Sequence, residues 1–373
     1  MLTYLLIYNN QSLYARFIDK HYVRLVINGI PKNINILINI YHMTNILCGD
    51  IDGEYTEFKL FSCHYRKETE LYNGKYFTNH FTSFEQCLSA ILTKLKGHLP
   101  NYICIGVAAP ITENEIKVTN SRWPKFNITD IQNMYPKIKI QFINDFEASA
   151  HGLLSLDDSS LLQVNQQAPV PGATKIVIGA GSGLGECFLT KSPGSPNYCI
   201  HPTEGGHTDY SPKTVLEYGF LEYVKEYLDL DRVSTERCIS RSGIALLYCY
   251  LKEMCPFIYS PMSEIPNKLN WHTIVDVGLS KKDEICVKTV EMFLNMFGSE
   301  IGNFALKSMP YGGIYIVGEI AVVLKDKILK EKEFIESIVN KGRMKPILEK
   351  MPIYLVDKNI RLIGAKEVAI RWL

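Results

Sequence analysis

No stretch of the 373-residue sequence approaches the ~18 uninterrupted apolar residues that a membrane-spanning helix needs, which points to a soluble globular protein. Blocks of like charge are missing as well. Forty basic side chains balance thirty-nine acidic ones, so there is no electrostatic footprint for nucleic acid or an anionic lipid surface, and the expected partner is a small molecule. None of the ten cysteines (Cys48, Cys63, Cys87, Cys104, Cys187, Cys199, Cys238, Cys249, Cys255, Cys286) stands at C-x-x-C spacing, and several lie inside apolar runs. They read as buried free thiols of a reducing compartment, and the expected location is cytoplasmic. No linker or low-complexity tract marks a boundary, so any domains are closely joined.

What is present is enough chain, at 46% hydrophobic, for one large or two ordinary domains with their own cores. Residues 1–42 differ in composition: rich in Ile, Asn, Tyr and Leu, with Asp19 the only acid. No basic segment precedes Leu2 to Tyr8 and no small-residue cleavage site follows, so this reads as an N-terminal arm of unknown role rather than a targeting sequence.

Two segments share an apolar strand, a glycine-rich turn and a second strand: Asn45 to Phe61 and Lys175 to Thr190. A Walker A loop or a dinucleotide fingerprint leads from a strand into a helix, whereas Gly179 to Gly185 is followed by the strand-like Cys187-Phe-Leu189, and the G-x-G-x-x-G spacing is absent. Successive backbone N–H groups in such a turn still form a concave nest for phosphate, and glycine lets the ligand come close. Two such hairpins, each opening an α/β segment, suggest a duplicated architecture with a nucleotide between the halves; two ordinary hairpins are the simpler alternative. Tyr102 to Ala108, Ile138 to Ile143 and Gly313 to Val317 read as buried strands. Thr214 to Leu228 and Glu284 to Ser308 have helical spacing, the latter with Gly298 and Gly302 where another backbone packs closely. The alternation predicts α/β domains with ligands at the carboxyl ends of the strands.

The strand ending at Ile143 runs into Asn144-Asp145-Phe146-Glu147, where an acid at a helix start is held by fixed backbone and Asn144 can bond a ligand hydroxyl; Asp145 as an ordinary N-cap is the competing reading. Further on, Glu204-Gly-Gly-His207 and Ser234-Thr-Glu236 supply carboxylates suited to vicinal hydroxyls and a histidine that both donates and accepts. Glu-x-x-His as half of a metal site lacks partner ligands in the sequence.

Gly106-Val-Ala-Ala-Pro110, Thr119-Asn120-Ser-Arg-Trp123, Ile143-Asn-Asp-Phe-Glu-Ala148, Gly179-Ala-Gly-Ser-Gly-Leu-Gly185, Glu204-Gly-Gly-His207-Thr-Asp209, Ser234-Thr-Glu-Arg237 and Gly312-Gly-Ile-Tyr-Ile-Val-Gly318 follow one another in the order and spacing of the glucokinase family typical of bacteria, which residues 43–373 resemble. The resemblance implies a two-domain actin-like ATPase (ribonuclease H-like) α/β fold, with mixed sheets flanked by helices and a ligand cleft between the domains. The small domain would comprise 43–154 plus 353–373, and the large one 155–352. It implies glucose contacts from Asn120, Asn144, Asp145, Glu204, His207 and Glu236, with Asp145 as base. Asp50, Gly53, Gly181, Ser182, Gly183 and Gly318 would face the nucleotide, with Mg²⁺ carried by ATP and no protein-only metal site. A homodimer is the expected assembly.

The family's first phosphate loop, Asp-x-Gly-Gly-Thr-Asn-x-Arg, is altered here to Asp50-Ile-Asp52-Gly53-Glu54-Tyr55-Thr-Glu57, and Glu319 replaces a glycine beside Gly318. A carboxylate facing phosphate at ~4 Å would cost up to ~4 kcal/mol at an effective dielectric near 20. An active ATP-dependent glucokinase is still the first expectation, because all the acceptor-side residues are kept, Asp145 among them. A catalytically impaired sugar-binding homologue acting as sensor or partner protein, and a kinase using another phosphoryl donor, are the alternatives.

Overall fold

The computed structural model describes residues 3–8, 11–19, 22–27, 35–39, 44–64, 67–111, 114–258, 260 and 269–371, those before 44 by backbone alone. Thr3–Tyr8, Gln11–Asp19, Tyr22–Ile27 and Asn35–Asn39 pair in chain order as an antiparallel sheet of their own.

The rest of the described strands form a two-stranded ribbon, Glu115–Ile116 with Phe126–Asn127, and two larger mixed sheets. In the first, Thr44–Ile51 lies between its hairpin partner Tyr55–His64, followed by Lys67–Phe77, and the parallel strands Tyr102–Val107 and Lys139–Asn144. In the second, Lys175–Ala180 lies between its hairpin partner Leu184–Thr190, followed by Cys199–Thr203, and the parallel strands Gly313–Val317 and Ile353–Leu355, with Leu162–Gln163 at the edge. Each glycine-rich hairpin therefore opens a sheet of the same plan, as a duplication requires. Parallel strands buried on both faces need continuous apolar runs, and Ile103, Cys104, Ile105, Ile176, Val177, Ile178, Ile314 and Ile316 are all buried.

One expected boundary moves. Ile353–Leu355 pairs with Gly313–Val317 in the second sheet, so only the chain beyond it returns to the first. There the helix Arg361–Ile370 packs on Asp145–Leu154 and covers Ile46, Cys48 and Cys104. None of the ten cysteines forms a disulfide, but the expectation of burial fails for Cys199, which is exposed, and holds only partly for Cys63 and Cys255. No helix among the described residues is long and apolar enough to cross a membrane.

Glu284–Ser308 is the spine of the second unit, capped by Asp283, whose carboxylate accepts from Cys286 N at 2.9 Å. At Gly302 the helix Lys332–Val339 comes so close that a Cβ would lie 2.2 Å from the Ile338 carbonyl oxygen. Gly302→Ala should therefore force the two helices apart and destabilise the protein by about 1–3 kcal/mol. A urea midpoint equal to that of the parent would show that the helices separate at no cost.

Candidate active site

The helix Asp145–Leu154 is capped by Asn144, whose Oδ1 accepts from Phe146 N at 2.9 Å and Glu147 N at 3.2 Å. That settles the competing reading of the acid beside it: Asp145 is the first helical residue and is not needed as the cap, although its Oδ1 also accepts from Phe146 N at 3.0 Å. The Asn144 amide is largely committed, because Nδ2 donates to Ala109 O at 3.2 Å, leaving one N–H for a ligand.

Asp145 shares a cavity with Asn120, Asn144, Glu204, His207 and Glu236, so all six residues expected at the sugar come together. Asn120, held at φ 58, donates through Nδ2 to Glu236 Oε1 at 3.3 Å and joins the first unit to the second. Glu236 Oε2 accepts from Leu184 N at 3.2 Å. Glu204 lies 3.7 Å from His207 Nε2; burial raises its pKa and His207 opposes the rise.

A second cavity of about 350 Å³ lies alongside, lined by Asp50, Asp52, Gly181, Ser182, Gly318 and Glu319 among others. Gly183 lines the first cavity instead. Gly53 lines neither: it is buried against the loop of Asn120, where a Cβ would lie 2.5 Å from the Asn120 carbonyl oxygen. Gly53 thus shapes the turn rather than facing the cleft.

The acids of the first hairpin are each engaged. Asp52 Oδ1 accepts from Glu54 N and Tyr55 N, both at 2.7 Å, so this carboxylate folds back and consumes turn amides. Glu54 and Glu319, from opposite sides of the cleft, both pair with the largely buried Arg241. Glu57 Oε2 accepts from Asn359 Nδ2 at 3.3 Å. Burial works against the charge of Arg241, but Glu319, Asp52 and Glu54 outweigh it and hold its pKa above the usual value.

Arg361 is placed by a close helix crossing. A Cβ at Gly364 would lie 1.7 Å from the Ala148 carbonyl oxygen, so only glycine lets the C-terminal helix approach this far. The guanidinium then sits 3.5 Å from Asp50 Oδ1 and 3.4 Å from Asp145 Oδ2, above the Phe146 ring. Burial raises the pKa of Asp145, and burial pushes Asp50 up to about 7; Arg361 is the leading opposing influence on both.

The family model described as Glucokinase matches residues 47–371. The chain belongs to the glucokinase family. It is 32% identical over 347 residues to the glucokinase of Nostoc punctiforme, covering 88% of this chain and 100% of that one. It is 30% identical over 323 residues to the glucokinase of Hahella chejuensis, covering 86% and 95%. Among solved structures it resembles a glucokinase from an Antarctic psychrotroph, at TM-score 0.68 and 25% identity over 88% of this chain and 100% of that one. The glucokinase of Balamuthia mandrillaris in complex with glucose, at TM-score 0.73 and 18% identity over 88% and 94%, shares the fold.

Sequence reasoning within this family missed Arg241 and Arg361. A signal was available: each is the first residue of its helix, Arg241–Met254 and Arg361–Ile370. A cation there opposes the helix dipole, so an arginine at that position asks for a carboxylate or another anion to hold it. Arg241→Ala should destabilise the protein by about 1–3 kcal/mol, and by less in a Glu54→Gln/Glu319→Gln background, because the unpaired acids are then gone. Equal losses in both backgrounds, measured by urea unfolding, would mean that Arg241 acts by packing alone.

Proposed function

We propose that this chain transfers the γ-phosphoryl group of ATP to the 6-hydroxyl of glucose, with Asp145 as the base. The observation that carries the reading is the position of Asp145: relieved of capping by Asn144, buried, and in one cavity with Asn120, Glu204, His207 and Glu236. These neighbours offer acceptors and donors in the mixture that a ring of hydroxyls requires. The sugar O6 attacks phosphorus as its proton passes to Asp145. The O6–P bond forms, the bond from phosphorus to the β,γ-bridging oxygen breaks, and ADP leaves with the electron pair. Positioning and charge stabilisation do most of the work in such a transfer.

The neighbouring cavity suits the donor. Gly181 and Ser182 line it from the second hairpin, and Gly318 from the turn after Gly313–Val317. The altered first loop is compatible with a polyphosphate because its acids are engaged: Asp52 by its own turn, Glu54 and Glu319 by Arg241, and Glu57 by Asn359. Among the described residues no cluster of three metal-ligating side chains occurs. The Mg²⁺ that accompanies ATP would be held at Asp50, whose buried Oδ1 accepts no hydrogen bond, faces the Arg361 guanidinium at 3.5 Å, and is the kind of oxygen ligand this ion takes. Bound there, the ion would neutralise charge on the β- and γ-phosphates. Ten cysteines without a disulfide fit a reducing, cytoplasmic setting.

A coupled assay of glucose 6-phosphate formation tests the reading. Asp145→Ala should abolish turnover while glucose affinity stays within about tenfold, the pattern of an interaction made in the transition state; retained turnover would remove Asp145 as base. A base works only when ionised, and burial raises the pKa of Asp145, so kcat/KM should fall on the acid side at a higher pH than for an ordinary carboxylate. A profile flat down to the usual carboxylate range would contradict that assignment.

A further inference from the structure

We propose that Arg361 is a further catalytic residue, which binds the γ-phosphoryl group of ATP as it passes to the sugar and supplies the positive charge that the first phosphate loop has lost. The inference rests on the phosphotransferase reading above. The two cavities share part of their walls. Among the described residues, only Gly181, Ser182 and Arg361 line both, and Arg361 is the one charged side chain of the three. Any group handed from donor to sugar crosses between the glycine-rich hairpin on one side and this guanidinium on the other.

The contacts of Arg361 leave it suited to that task. Its two terminal nitrogens lie 3.5 Å from Asp50 and 3.4 Å from Asp145. Both distances exceed the about 2.7–2.9 Å of a well-formed charge-assisted hydrogen bond. The fork is therefore held by charge on both sides without being saturated, and phosphate oxygens match a guanidinium fork in geometry and sign. Arg241 is placed differently: it lines the donor cavity alone and is closed between Glu54 and Glu319.

The first hairpin leaves this charge to be found elsewhere. Position 57, where the family pattern carries arginine, is Glu57. The Glu54 and Tyr55 amides, which a phosphate would otherwise recruit, are taken by Asp52. Arg361 reaches the same region from the C-terminal helix. Its neighbour Asn359 donates to Glu57, which turns that carboxylate toward the segment carrying the new cation.

Nucleotide binding separates this role from a purely structural one. ADP lacks the group Arg361 is assigned to hold, whereas the non-hydrolysable analogue AMPPNP carries it. Arg361→Gln should weaken AMPPNP binding by about tenfold or more while leaving ADP within about threefold, and should lower kcat by about 100-fold, as for loss of one preorganised transition-state donor. The Asp50→Asn protein and the Asp50→Asn/Arg361→Gln protein repeat the comparison with the local charge balanced, so a folding defect in the single variant does not mask the answer. An AMPPNP-to-ADP preference unchanged by loss of Arg361 in either background would overturn the proposal and leave the arginine as a brace for two acids. Absence of glucose turnover in the parent protein would instead count against the phosphotransferase reading, since the nucleotide comparison needs no sugar.

Discussion

Arg361 stands between Asp50 and Asp145 where the two sheets bring their ligand cavities together, and the arrangement of the cleft depends on that charge. Two carboxylates taken out of water near one another each raise the other's tendency to stay protonated. Burial does push both upward here, and the guanidinium is what opposes it. In return the acids hold the arginine charged in spite of its own burial. Breaking such a mutually compensated group by removing one member is far costlier than never having built it.

Backbone proximity is what permits the triad. The helices Asp145–Leu154 and Arg361–Ile370 run so close at Gly364 that no side chain fits there. Their first residues then meet at the cleft: one presents a carboxylate and the other a guanidinium. A helix start favours the acid and disfavours the arginine, so the energetic logic runs from Asp145 and Asp50 to Arg361 rather than from the helix dipole.

The repeated sheet plan explains why there are two loops and one cleft. Each unit offers the carboxyl ends of its parallel strands, with a glycine-rich hairpin beside them. In the second unit that hairpin is open, with Gly181 and Ser182 at the cavity walls; in the first, acids close the turn on itself and engage cations elsewhere. The same topology thus carries one loop that lines the cavity and one whose acids turn inward or pair with Arg241 and Arg361.

Much of this was legible in the residues themselves. The hairpins, the long helix Glu284–Ser308 and the buried parallel strands follow from apolar period and glycine placement, which are local properties. That Asn120, Asn144, Asp145, Glu204, His207 and Glu236 meet in one cavity was foreshadowed because each member sits in a short contiguous motif. Tertiary structure decided three other matters: that Gly53 serves packing, that Ile353–Leu355 pairs in the second sheet, and that Arg241 pairs with Glu54 and Glu319 and Arg361 with Asp50 and Asp145. Those depend on pairs far apart in the chain, Glu54 with Arg241 and Asp50 with Arg361. Periodicity and motif spacing record which residues are neighbours along a strand or helix, whereas charge compensation is set by distance in space, which exists only once the helices and sheets have packed.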